Sequence, residues 1–268
     1  MDNLRFISFA SGSSGNCFFV GNTFQGILID AGIGMRTIRK RLKEIGMNVS
    51  SILGIFITHD HFDHVKAVKS LAEKYVTPIY ATEAVHEAFC HAPFGSELPV
   101  TVRKIIRKET PVVINDWKIT AFEVPHDGVD NVGYSIEYNG KTVTLLTDLG
   151  HVSEQAARYI ALSNYLVIEA NYDDDMLTSG PYPKSLQERI RSNTGHLSND
   201  SAGRFLADHF PQNLRSIFLC HLSHSNNLPE LACNTVKRLL EEKGIIAGRD
   251  VELVALNRTT PSELYEFE

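Results

Sequence analysis

Short apolar runs alternate along this chain with stretches in which apolar positions recur every third or fourth residue. The first pattern predicts buried strands and the second amphipathic helices. Residues 18–20 and Gly26–Ile29 read as strands joined by a short turn, 35–45 as an amphipathic helix and 52–57 as a strand. A helix over 65–75, a strand over 78–81 and a helix over 83–90 follow, then strands over 101–106, 111–114 and 118–124. Residues 134–138 and 142–146 predict a hairpin across Asn139-Gly140, a pair that accepts the positive φ of a two-residue turn. A helix over 153–162, a strand over 165–168, helices over 184–191 and 200–209, a strand over 216–220, a helix over 230–243 and a strand over 251–256 complete the order. Strands interspersed with helices predict a layered α/β protein.

One segment breaks this pattern. Thr58-His59-Asp60-His61-Phe62-Asp63-His64 follows the apolar strand 52–57 and leads into a helix. Imidazole nitrogen and carboxylate oxygen are the preferred donors for zinc and similar divalent ions. A loop at a strand's end can aim alternating side chains at two neighbouring points. His59 and His61 would serve one ion, Asp63 and His64 a second. Scattered histidines in a polar loop would not produce the H-x-H-x-D-H spacing.

That spacing resembles the signature of the metallo-β-lactamase-fold hydrolases, and the rest of the chain carries the family's other landmarks. Asp30, His126, Asp148 and His221 each stand just past an apolar run of strand character. The resemblance implies a four-layer αββα sandwich formed as one domain over residues 1–268. It further implies two divalent ions, zinc or manganese. His59, His61 and His126 would hold one and Asp63, His64 and His221 the other, with Asp148 between them. Such a pair activates a bridging hydroxide as nucleophile. Histidine ligands usually donate their second N–H to a carboxylate or carbonyl, and Asp30 and Asp60 are the nearest candidates for that role.

The fold does not name the substrate. Three segments narrow it: Ile168-Glu169-Ala170-Asn171-Tyr172, Thr194-Gly195-His196-Leu197-Ser198-Asn199-Asp200, and Cys220-His221-Leu222-Ser223-His224-Ser225-Asn226-Asn227. They resemble the corresponding motifs of RNase Z-like phosphodiesterases. This implies that Glu169 orients His196 and raises its pKa, and that His196 assists at the leaving oxygen. With Ser11-Gly12-Ser13-Ser14-Gly15-Asn16-Cys17, the chain is similar to a narrower bacterial family, the YycJ/WalJ-like nucleases. That resemblance implies 5′-to-3′ exonuclease action on DNA, with Asp63, Glu169 and His196 as catalytic residues. Ser13, Ser14 and Asn227 would then bind the terminal 5′-phosphate. The alternative is a small-molecule metallohydrolase, such as a thioesterase, lactonase or cyclic phosphodiesterase, using the same ions.

Charge argues weakly against a nucleic-acid substrate: the formal net charge of the 268 residues is −6, whereas nucleic-acid binders often carry a basic face. Bound cations would place positive charge where phosphates sit. Basic stretches occur at Arg36–Lys43, at Arg103–Lys108, and at Lys184 with Arg189 and Arg191. The first reads as a solvated helix face. The last, which precedes His196, is the better candidate for backbone contact. Cys17, Cys90, Cys220 and Cys233 form no C-x-x-C pair and read as reduced core thiols. No signal peptide or spanning segment is recognisable, so a cytoplasmic protein is expected.

Overall fold

A computed structural model describes residues 3–92 and 97–267. In chain order its elements are β1 (Leu4–Ala10), β2 (Cys17–Gly21), β3 (Gly26–Ile29), α1 (Met35–Glu44), β4 (Ile52–Phe56), α2 (Phe62–Val65), α3 (Val68–Tyr75), β5 (Ile79–Ala81), α4 (Glu83–His91), β6 (Arg103–Ile105) and β7 (Val112–Ile114). There follow β8 (Trp117–Glu123), β9 (Val132–Tyr138), β10 (Lys141–Leu146), α5 (Glu154–Ala161), β11 (Tyr165–Glu169), α6 (Asp174–Ser179), α7 (Lys184–Arg191), α8 (Asn199–Asp208), β12 (Ser216–Cys220), α9 (Pro229–Glu241), β13 (Glu252–Ala255) and β14 (Tyr265–Phe267). They fall into two compact units. The first takes the chain up to Asp116, the segment Gly128–Asp130 and the chain from Asn257 on; the second takes Trp117–Asp127 and Asn131–Leu256.

In the first unit the strands run in the order β14-β1-β2-β3-β4-β5-β6. β14, β1, β2 and β3 pair antiparallel in succession, and β3 through β6 are parallel. The turn between β2 and β3 is closed by Asn22, whose Oδ1 accepts from the backbone N–H groups of Phe24 and Gln25. Ile7, Phe9, Phe19, Leu28 and Ile55 lie in one core with Ile38 and Leu42 of α1, Leu71 of α3 and Val85 of α4. Phe6, Phe18, Val20, Ile27, Ile29 and Phe56, on the opposite face, are buried as well. Burial on both faces explains why these strands are continuous apolar runs and not alternating ones. Each fully buried Leu, Ile or Phe contributes roughly 1.5–3 kcal/mol.

The second unit has the order β13-β12-β11-β10-β9-β8. β8, β9 and β10 are antiparallel neighbours, and β10 through β13 are parallel. Helices α5, α8 and α9 bury Ala156, Ile160, Leu206, Val236 and Leu240 with Phe122, Leu146, Ile168 and Leu219 of the strands. The carboxyl ends of β10, β11 and β12 lie side by side, with Leu146 paired to Ile168 and Ile168 to Leu219. Loops leaving such ends are where open α/β sheets bind ligands. Two mixed sheets with their helices are thus present, as the α/β fold class required. No helix among the described residues is long and apolar enough to cross a membrane.

Three expectations change. The single helix over 65–75 is two, α2 and α3, interrupted at Lys66 and Ala67, where the Ala67 N–H donates to the Ala31 carbonyl instead of continuing a helical ladder. Helix α6 has almost no apolar periodicity, burying Leu177 alone. It is started by the Asp173 carboxylate, which accepts from the N–H groups of Asp175 and Met176. Strands β1 and β14 were not anticipated. They pair with each other across almost the whole sequence length, Leu4 against Phe267, which no local pattern reveals.

Candidate metal centre

The first unit assembles its cluster around Asp30. This residue follows β3 with φ 60°, a left-handed conformation costing on the order of 1–3 kcal/mol in a non-glycine residue. The turn brings the fully buried carboxylate under the 58–64 loop. Thr58 donates to it twice, from N–H to Oδ1 (2.9 Å) and from Oγ1 to Oδ2 (2.8 Å). His64 donates from Nδ1 to Oδ2 at 2.7 Å. That bond places the proton on Nδ1 and presents Nε2 as a lone-pair donor, the tautomer that metal ligation needs. Burial pushes the Asp30 carboxyl up, and His64 and Thr58 offset only part of that. The His59 ring lies 4.6 Å from that of His61 and 4.0 Å from that of His64, centroid to centroid.

Asn16 closes this cluster. Its amide Nδ2 donates toward His64 Nε2 (2.9 Å) and Asp63 Oδ2 (3.3 Å), and its backbone N–H to the Asp63 carbonyl (2.8 Å). Gly32 makes this packing possible. A Cβ there would overlap the Asp63 carbonyl and press on the Asn16 nitrogen, both backbone atoms that cannot rotate away. Gly32→Ala should therefore displace the loop bearing Asp63, destabilising the protein by about 3 kcal/mol. A denaturation midpoint at the wild-type value would show that the loop yields freely.

The second unit holds the other group. Asp148 and His221 follow β10 and β12 with φ 56° and 52°, the same left-handed exit from a strand that Asp30 makes. His221 Nδ1 lies 2.9 Å from Asp148 Oδ1 and 3.0 Å from Glu169 Oε1. Thr147 donates from Oγ1 to Asp148 Oδ2 at 2.6 Å. His126 donates from Nδ1 to the Gly195 carbonyl (2.9 Å), which leaves its Nε2, 3.8 Å from Asp148 Oδ1, as the lone-pair nitrogen. Burial pushes the His126 imidazole down, consistent with a neutral ligand.

Glu169 is fully buried at the end of β11 and accepts four hydrogen bonds. Oε2 takes the backbone N–H of Leu149 (2.9 Å) and Leu197 (3.0 Å), and Oε1 takes His196 Nδ1 (2.7 Å) and His221 Nδ1 (3.0 Å). Burial raises the Glu169 carboxyl, but the charge and hydrogen bond of His196 and the bond from His221 outweigh it and hold it below its usual value. Burial lowers His196, and the Glu169 and Asp148 carboxylates more than reverse that. Burial lowers His221 too, yet the same two carboxylates raise it to about 10. The pocket thus favours positive charge. One donor atom from each of Asp148, Glu169, His196 and His221 lies within 4.8 Å of the others. Imidazole nitrogens with fixed tautomers beside carboxylate oxygens fit a divalent cation.

The structure places Glu169 against His196 and Asp30 against His64. It places Asp60 beside another segment: its Oδ1 accepts from Val129 N–H (3.1 Å), which ties down Gly128–Asp130. Asn227 lies among backbone carbonyls. Its side chain is fully buried, and Nδ2 donates to the carbonyls of Ala170 and Asn171 and to Asn199 Oδ1. Ser13 and Ser14 are exposed. Cys220 is core, with burial pushing its thiol well up. Sequence reasoning missed Thr58, Thr147 and the clamping role of Asn16. A hydroxyl residue immediately before a ligand was the available signal for the two threonines.

A family model for the beta-lactamase superfamily domain matches residues 25–222. The chain is 34% identical over 261 residues to an exodeoxyribonuclease, YycJ, of Bacillus anthracis, covering 97% of this chain and 98% of that protein. It is 33% identical over 258 residues to the exodeoxyribonuclease WalJ of Streptococcus pneumoniae strain D39, covering 96% of each. The crystal structure of Zn(2+)-bound PqqB from Methylobacterium extorquens shares the fold, with TM-score 0.71 over 97% of this chain and 99% of that one at 17% identity. With strand-end histidines and carboxylates in both units and these relatives along nearly its whole length, the chain belongs to the YycJ/WalJ family of metallo-β-lactamase-fold hydrolases.

Proposed function

We propose that the protein is a dinuclear-metal phosphodiesterase that degrades DNA as an exonuclease from the 5′ end. The observation that carries this reading is the end-to-end identity to relatives named exodeoxyribonucleases. The family resemblance assigns His59, His61 and His126 to one ion and Asp63, His64 and His221 to the other, with Asp148 shared. Two divalent ions held there would supply Lewis-acid charge and an activated water. The zinc named for PqqB supports a divalent metal in this fold; manganese suits the same donors.

The chain's own residues do the rest. Asp30 and the Gly195 carbonyl hold His64 and His126 in the ligating tautomer. Glu169 accepts from His196 Nδ1, and the Glu169 and Asp148 carboxylates favour the imidazolium, in which the opposite ring nitrogen also carries a proton, the one that passes to the leaving oxygen. His196 remains partly exposed, with 22% of its side chain accessible, as a group meeting substrate must be. Ser13 and Ser14 are the residues we assign to the terminal 5′-phosphate, their exposed hydroxyls serving as donors.

Digestion of end-labelled, 5′-phosphorylated duplex DNA by manganese-loaded protein tests the reading. Stepwise release from the 5′ end is expected. Intact DNA alongside hydrolysis of a small thioester or lactone would overturn it in favour of a small-molecule hydrolase. His196→Ala should keep its metal and lose about 10²-fold in turnover. Loss of metal from that variant would make His196 a ligand and remove its role in proton transfer.

A further inference from the structure

Helix α1 buries Ile38 and Leu42 and turns Arg36, Arg39, Lys40 and Lys43 outward. Spaced i, i+3, i+4 and i+7, these four cations share one face. They line a hollow of about 720 Å³ together with Met47, Val49 and Tyr75. The helix carries a single carboxylate, Glu44, which takes Arg41 at 2.9 Å and reaches Lys40 at only 3.8 Å. Arg36, Arg39 and Lys43 make no ion pair among the described residues; Arg39 instead lies 6.0 Å from the centre of the Tyr75 ring.

The other basic stretches are partly neutralised. Arg189 is bound by Asp127 at 2.6 Å, and Arg191 lies 3.4 Å from Asp174 and donates to the Thr178 hydroxyl. Lys108 is paired with Asp130, and the hollow near Arg107 is lined equally by Glu83, Glu87 and Asp130. Unlike the hollow near Arg107, the α1 hollow is lined by four cations and no carboxylate. The segment that leads into α1 is tied to the histidine loop, with Ala31 N–H donating to the His64 carbonyl at 2.8 Å. From there Lys43 stands about 10 Å farther along the helix axis than Arg36. That distance matches roughly three nucleotides of rise along one DNA strand.

We propose that this hollow is a contact surface for the sugar-phosphate backbone of DNA, separate from the hydrolytic centre and leading away from it. The assignment of DNA as occupant rests on the exonuclease reading above. Phosphates recruit such unpaired Lys and Arg charges, and the rim of Tyr75 offers a face to sugar or base. A membrane surface fits less well. An interfacial helix needs an apolar face free to enter lipid, and that of α1 is committed to the core.

The test is fluorescence anisotropy with manganese-loaded protein and a labelled duplex whose ends carry phosphorothioate linkages to block cleavage. Arg36→Ala/Arg39→Ala/Lys43→Ala should bind about tenfold more weakly or worse. Its plot of log affinity against log salt should be shallower by about 2–3. Alanine preserves helix propensity, and circular dichroism checks the fold. The charge-keeping variant Arg36→Lys/Arg39→Lys/Lys43→Arg should retain most of the affinity. Equal affinity and slope in the alanine variant would overturn the proposal. So would tighter, equally charge-dependent binding to phosphatidylserine vesicles. Digestion of the unmodified duplex is read in parallel: DNA bound but left intact removes the exonuclease reading and leaves the backbone-contact surface standing.

Discussion

Asp63→Ala is expected to abolish hydrolysis while the protein stays folded. The carboxylate lies in the first turn of α2, and 24% of its side chain remains accessible. What ties this position into the fold is backbone: the Asp63 carbonyl accepts from Asn16 N–H at 2.8 Å. The variant keeps that bond and loses side-chain contacts that include Asn16 Nδ2 at 3.3 Å and His64 Nε2 at 3.4 Å, each worth about 1 kcal/mol. Catalysis has no such reserve. If Asp63 holds an ion whose charge stabilises the transition state by several kcal/mol, activity falls by about 10³-fold or more. Metal content, denaturation midpoint and turnover measured on one preparation separate these effects. Wild-type turnover with undiminished metal content would remove Asp63 from the centre. His59→Ala should behave in the same way.

Glu169→Ala should fail differently, through stability as well as activity. Removing this buried carboxylate strips the acceptor from the backbone N–H groups of Leu149 and Leu197 and from two imidazoles at once. Breaking a buried, hydrogen-bonded charge pair on one side costs about 3–5 kcal/mol. A urea titration should show the midpoint falling substantially. Leu197 directly follows His196, so the loop bearing His196 should loosen and turnover should fall as well. An unchanged midpoint with reduced turnover would restrict Glu169 to orienting His196. Glu169→Gln is a useful companion, because it keeps the shape but turns amide hydrogens toward groups that themselves donate.

The net charge of −6 is less of an obstacle to a polyanionic substrate than it first appeared. Many carboxylates are engaged locally: Asp127 with Arg189, Asp200 with Arg204, Asp208 with Lys243. What matters to a phosphate is the field of unpaired groups nearby, and formal charge sums over paired ones. By that measure the basic stretch at Lys184, Arg189 and Arg191, favoured from the sequence, loses ground to α1.

Much of the proposed centre rests on local order. The H-x-H-x-D-H run specifies its donors by residue type and spacing within a single loop. The positions of Asp30, His126, Asp148 and His221 came from the family resemblance, and they share one regularity, a polar residue just past an apolar strand. Each of these features spans only a few residues, so local sequence carries it. Tertiary structure decided what proximity could not. It set the left-handed exits at Asp30, Asp148 and His221, which turn side chains off the strand direction. It brought Asn16 to His64 and the Gly195 carbonyl to His126. It buried Asn227, whose sequence context looked like a phosphate-binding loop, because its amide satisfies the carbonyls of Ala170 and Asn171. It also paired Leu4 with Phe267. The physical reason is common to all of these. A hydrogen-bond partner in a folded chain is chosen by which unsatisfied group the packing leaves within reach, and residues far apart in sequence encode that choice only jointly.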